Sequence, residues 1–411
     1  MNRWMFLALV CVGMPASASA QSRVVLQLDD ALRLAAKGAP EVRVAEAATD
    51  VVRAEMVAAE LVAAHNPSLV VAAGPRFVGE VSVDLEVGVE QALSLGGRRR
   101  AATTVAQMNV DTAGIEADGV RASAMARAAT AYFRVVHARR RLRIAQQSVQ
   151  LGVSMVDTAT KRFEAGEIDR LQANTARVAL GRHMVDAQVW QGRTDQLLGA
   201  LRSVLGLDAT TELELATVLE QPGLGSLDTL VAAATRRPDL AALAAAAERE
   251  AARVELASRY RWPDLALGAT YGHEEGAHIA MGIVRVTLPI VAHRQDLAAE
   301  ATARSAALER EAEARSSTVA IELRAQYQVY ETLRAAEVGF RNDVLPVLEE
   351  NETMTEKAYR EGSLDLAELL ALRREMIEAR ESYTDLLLNV ALATVRVRAL
   401  SNTLQPSGET K

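Results

Sequence analysis

Between residues 81 and 90 apolar and polar positions alternate without a break. Val81, Val83, Leu85, Val87 and Val89 fall on one side of an extended chain, and Ser82, Asp84, Glu86, Gly88 and Glu90 on the other. A period of two predicts a strand. The alternation stops at Gly96-Gly97, three arginines follow, and apolar positions then recur with helical spacing to about residue 205. A second helical stretch runs from about 295 to 400, with Pro346 as its interior proline. Each stretch contains one breaker, "KRFEAGEIDRLQANTAR" at 161–177 and "KAYREGSLDLAELLALR" at 357–373. In both, a glycine (Gly166 or Gly362) is placed to end one helix, and an aspartate (Asp169 or Asp365) to cap the next.

These two segments align residue for residue, and so do others. "HNPSLVVAAGPRF" lies against "RWPDLALGATYGH", "VEQALSLGGRR" against "VTLPIVAHRQD", and "GAPEV" against "RRPDL". The chain is an internal duplication, which constrains the whole fold. Each half reads helix, strand, strand, long helix, turn, helix, with strands predicted over roughly 68–77, 81–91, 264–273 and 279–289. At 1.5 Å per residue the long helix from 96 to 164 spans about 100 Å. The entering helix (40–66) and the returning one (168–205), stacked end to end, nearly match it. The expected fold class is mostly α with a small β part: long helical hairpins in a rod, with two strand pairs at its far end.

Strands of about ten residues suit a tilted transmembrane β-strand of about 9–11 residues. The valine face would then meet lipid, with Asp84, Glu86 and Glu90 facing a wet lumen. A half-exposed strand of a soluble sheet alternates in the same way. Four strands cannot close a barrel, since barrels begin at about eight, so this reading requires a shared, oligomeric barrel. In the fourth strand Arg285 shares a face with Ile279, Met281 and Ile283, a mixture for which the pattern gives no reason.

Composition fits this picture. Aromatic residues are 4% of the chain and the formal net charge is −7, which argues against nucleic acid as a partner. Arg3, an apolar run and Ala18-Ser19-Ala20 predict a secretory signal peptide, with a buried N-terminal helix as the rival reading. The single cysteine, Cys11, lies inside it, so the mature chain has neither a disulfide framework nor a thiolate site. The expected organisation is a signal peptide (1–20), a first repeat (21–206), a linker (207–226), a second repeat (227–404) and a polar tail (405–411).

The duplication, the two glycine turns and "EQALSLGGRRRA" at 90–101 resemble TolC-type outer-membrane efflux proteins, over nearly all of the mature chain. The strand-to-helix motif is most similar to the CzcC-like heavy-metal branch. Ala92 stands where the family often has proline, which the second half keeps at Pro289, and there is no lipidated N-terminal cysteine. The resemblance implies a homotrimer with a β-barrel in outer-membrane lipid and an α-barrel in the periplasm. It also implies tips around Gly166, Asp169, Gly362 and Asp365 that dock a periplasmic adaptor, itself bound to an inner-membrane pump of the RND type. It places an entrance constriction at Glu368, whose counterpart in the first half is the uncharged Gln172. The rival reading is a periplasmic coiled-coil scaffold or adaptor without a barrel.

No catalytic constellation, phosphate loop or dinucleotide fingerprint occurs, so neither an enzyme nor a cofactor is expected. "HEEGAH" (273–278) is H-E-x-x-x-H and falls in a predicted hairpin loop, where no helix aligns its histidines. No metal site is expected there.

Overall fold

The computed structural model describes residues 24–61, 66–77, 82–216, 219, 223–274 and 277–406. The signal peptide, Val81 and most of the polar tail lie outside the described residues.

The first repeat runs β1 (Val24–Leu26), α1 (Leu28–Gly38), α2 (Pro40–Glu60), β2 (Ser68–Arg76), β3 (Ser82–Leu93), α3 (Arg98–Glu164) and α4 (Arg170–Leu205). After β4 (Leu213–Leu215) the second continues through α5 (Leu227–Ala234), α6 (Pro238–Arg259), β5 (Asp264–Glu274), β6 (Ala277–Thr287), α7 (Gln295–Gly339), α8 (Leu345–Arg360) and α9 (Leu366–Leu400). The 67 residues of α3 form one unbroken helix, about 100 Å at 1.5 Å per residue. Its buried seam includes Val105, Thr112, Ala117, Ala124, Ala128, Tyr132 and Val135, at steps near the helical repeat. Small residues along that seam let α2, α4 and α6 pack closely against one central helix.

Pro40 and Pro238 stand at the first position of α2 and α6, where a missing N–H costs nothing. The entering helix of each half is therefore two helices, α1–α2 and α5–α6. Mid-rod, β1 pairs in parallel with β4, Val24 opposite Leu213. Together they close a core around Phe133, with Leu26, Leu32, Leu201, Leu205, Leu215 and Leu387. These three-residue strands were invisible in the periodicity. They carry too few residues to show a repeat, and one of them lies in the expected linker.

The second long helix departs from expectation. A π turn, Phe340–Val344, separates α7 from α8 just before Pro346. Proline lacks the N–H for the regular ladder and clashes with the preceding turn; the wider turn absorbs both.

The main sheet is antiparallel in the order β2-β3-β5-β6, with β2 and β6 at its edges. β3 pairs with β5 as Glu90 opposite Gly268 and Leu85 opposite His273. The two hairpins of the duplication are thus joined through their inner strands. Among the described residues no helix is long and apolar enough to cross a membrane.

Candidate functional site: the sheet, its helical junction and the tips

Partners opposite one another in a ladder share a face, so the register fixes what each face carries. One carries Leu69, Val71, Val83, Leu85, Val89, Leu267, Val284 and Val286, all exposed. The other carries Asp84, Glu86 and Glu90 with Ala266, Thr270, Ile283 and Arg285; Ala266 is buried, and Asp84, Glu90, Thr270 and Ile283 are half-buried. Val70, Met281 and Glu86 on this second face are exposed as well, so the register rather than burial distinguishes the two faces.

Arg285 has a partner on that acidic face. Its Nη2 lies 2.9 Å from Glu90 Oε2, reaching over Gly268 of the strand between them. Ile279 and Ile283 stand opposite Gly272 and Gly268, which leave room above β5 for longer side chains. The mixed face of β6 therefore follows from pairing across a glycine-bearing strand, which the sequence pattern of one strand does not reveal.

The run into glycines and arginines makes the joint between sheet and rod. Gly96 and Gly97 have φ of 67° and 75°, a left-handed conformation that suits residues without Cβ. A Cβ on Gly96 would fall 2.2 Å from Trp262. Arg98 then turns back: Nη1 lies 2.6 Å from Asp264 Oδ1, Nη2 donates to the Trp262 carbonyl at 3.3 Å, and the guanidinium lies 4.3 Å from the Tyr260 ring centroid. The first arginine thus fastens α3 to the start of β5.

At the opposite end, Gly166 and Gly362 have φ of 76° and 75°. The following amides close each helix by donating to carbonyls five residues back, Glu167 to Arg162 at 2.8 Å and Ser363 to Ala358 at 3.0 Å. Asp169 accepts from the Gln172 amide and Asp365 from the Glu368 amide, both at 2.7 Å. Glu368 also returns a bond, accepting from the Asp365 amide at 3.1 Å. It forms a capping box with Asp365, a local structural role for this residue. Its residue remains exposed. The two turns pack on one another through Ala159, Ala176, Tyr359, Leu366 and Leu369. The Arg162 guanidinium lies 4.6 Å from the Tyr359 ring centroid.

Above the tips a groove of about 740 Å³ opens between α3, α4, α8 and α9, with Arg182, His183, Glu352, Arg373 and Arg380 among its lining. Sequence reasoning missed two buried polar clusters higher in the rod. Glu337 is fully buried on α7 and held by Arg334 at 2.9 Å, Arg341 at 3.1 Å and the Tyr383 hydroxyl at 3.3 Å. His137 on α3 meets Asp385 on α9 at 2.6 Å, with Arg141 bridging to Glu381 at 3.1 Å. Burial lowers the His137 pKa and raises that of Glu381. Arg334 and Arg341 stand three and four residues from Glu337, a spacing that could have signalled that set; nothing local connects residues 137 and 385. Among the described residues no group of three or more potential metal ligands comes together.

Residues 31–207 match the outer membrane efflux protein family. The cobalt-zinc-cadmium resistance protein CzcC of Cupriavidus metallidurans is 23% identical over 298 residues, 72% of this chain and 71% of that protein. A membrane protein of Pseudomonas aeruginosa superposes with a TM-score of 0.73 at 18% identity, covering 93% of this chain and 92% of its own. The open state of the MtrE outer membrane channel of Neisseria gonorrhoeae gives 0.71 at 18% identity, over 93% and 91%. The duplicated hairpins, the two-faced sheet at one end of the rod and the glycine turns at the other fit these matches: residues 31–207 are similar to the outer membrane efflux protein family, and the chain as a whole has the fold of these outer membrane channels.

Proposed function

We propose that this protein is the outer-membrane channel of a tripartite efflux system, a passive duct through which an inner-membrane pump discharges its substrate. The observation that carries the reading is the sheet. It has an exposed apolar face, a face bearing carboxylates, and edge strands β2 and β6 beside which no further strand pairs among the described residues. An open edge in lipid leaves backbone polar groups unsatisfied at several kcal/mol each, so the edges must meet other strands. Three copies supply twelve strands, enough to close a barrel. The α-helices then extend about 100 Å into the periplasm.

On this reading the turns at Gly166, Asp169, Gly362 and Asp365 dock a periplasmic adaptor, and the pump behind it is of the RND type. Three copies of Glu368 ring the entrance; a ring of carboxylates favours cations. CzcC is named for resistance to cobalt, zinc and cadmium. That likeness and the acidic inner face support heavy-metal cations as the substrate class. Mass measurement in detergent tests the assembly: three chains per particle are expected. A stable monomer that stays soluble without detergent would instead make it a periplasmic scaffold.

A further inference from the structure

The histidines of "HEEGAH" lack helical spacing, but the fold gives them a different geometry. Both lie in strands rather than in the loop. His273 is next to last in β5, His278 is second in β6, and the ladder sets them directly opposite each other. Cross-strand partners share a face, with Cβ atoms about 4.5–5.5 Å apart. The two ring centroids are 4.8 Å apart with planes tilted by 45°. Tyr271, on the same face, stacks on His278 at 5.8 Å and 18°, and its hydroxyl lies 2.5 Å from His278 Nδ1. His273 Nδ1 is shut off from solvent without a hydrogen-bond partner. The group stands at the hairpin end of the sheet, away from the helices, on the outward face at the mouth of the proposed barrel.

An imidazole that donates Nδ1–H to an oxygen keeps its lone pair on Nε2. Metal-binding histidines share this arrangement, one nitrogen held by an outer oxygen and the other free to coordinate. In the Nδ1–H tautomer of His278, Tyr271 supplies that oxygen, and His273 is the second imidazole within reach. Nitrogen donors select borderline ions such as copper, nickel and zinc over magnesium and calcium, which take oxygen. Strand alternation puts the neighbouring Glu274 on the opposite face.

We propose that His273 and His278 ligate one divalent transition-metal ion at the outer rim of the barrel mouth, with Tyr271 orienting His278 and water filling the remaining positions. The proposal is independent of what passes through the duct. The test uses the full mature chain, assembled in detergent and stripped with chelator, titrated with Cu²⁺ by calorimetry and electron paramagnetic resonance. One ion per chain with two imidazole nitrogens is expected. The double variant His273→Gln, His278→Gln should lose this site. Tyr271→Phe should keep it with affinity lowered about 10- to 100-fold, the usual cost of an outer-shell partner. Should the double variant fail to assemble, the wild-type spectrum decides, because fewer than two coordinated nitrogens rejects the pair. Absence of Cu²⁺ binding, or a double variant indistinguishable from wild type, overturns the proposal.

Discussion

Gly96 and Gly97 are neighbours with nearly the same backbone conformation, and their surroundings separate them. A methyl group on Gly97 meets nothing within 4 Å, whereas on Gly96 it lands 2.2 Å from Trp262 Cγ. Placing an L-residue in the left-handed region costs about 1–2 kcal/mol. Forcing a methyl group into a packed site adds about 1–3 kcal/mol. Gly97→Ala should therefore cost about 1–2 kcal/mol and Gly96→Ala about 2–5 kcal/mol. The second repeat supports the smaller figure: Arg294, aligned with Gly97, precedes its long helix with φ of 63° and carries a full side chain. Trp262→Ala in the Gly96→Ala background removes the ring atoms but keeps Trp262 Cβ, 2.6 Å from the new methyl group, so it should recover part of the steric cost, a pairwise coupling that a double-mutant cycle measures. The assay is denaturant unfolding of the detergent-solubilised protein at fixed concentration, followed by helical circular dichroism. Equal losses for the two glycine variants, or no rescue by Trp262→Ala, would refute the steric account of this joint.

In planar bilayers under a tenfold salt gradient, where perfect cation selectivity gives about 59 mV for a monovalent ion, Asp84→Asn with Glu86→Gln should move the reversal potential toward zero. Arg285→Gln should move it the other way by freeing Glu90; unchanged potentials in both would mean that this face does not line the pore. Gly362→Val should strain the second turn by about 1–3 kcal/mol while leaving the helices packed, because nothing lies within 4 Å of its Cβ. The variant should reach the membrane yet lose efflux through failed adaptor docking, and retained efflux would show that docking lies elsewhere. Burial outweighs the Asp385 carboxylate and holds the His137 pKa below its ordinary 6.5. The unfolded chain then takes up the proton first, so this contribution to stability is complete above pH 6.5 and is lost as pH falls through 6.5 toward the folded value. His137→Gln should flatten stability against pH in that window, and an unaltered slope would place the proton elsewhere.

Much of this protein is written locally. Periods of two and of 3.6 are properties of adjacent residues, so the strand at 82–93 and the helix at 98–164 could be read directly, as could the glycine turns and their aspartate caps. The duplication multiplied that signal, because each element of one half was checked by its counterpart in the other. What escaped was set by residues far apart in sequence. The pairing of β1 with β4 depends on two three-residue segments meeting over Phe133. Arg285 acquires its meaning from Glu90, two strands away. Trp262, not the left-handed turn alone, excludes a side chain at Gly96. The histidines at 273 and 278 have no helical relation; the ladder of β5 and β6 alone brings their rings within 4.8 Å. The sequence by itself determined the periods, the turns and the repeat, since those energies are spent within a few residues. Tertiary structure decided which residues share a face and which distant charges and rings meet, because register between strands and packing between helices are settled only when the whole chain has closed.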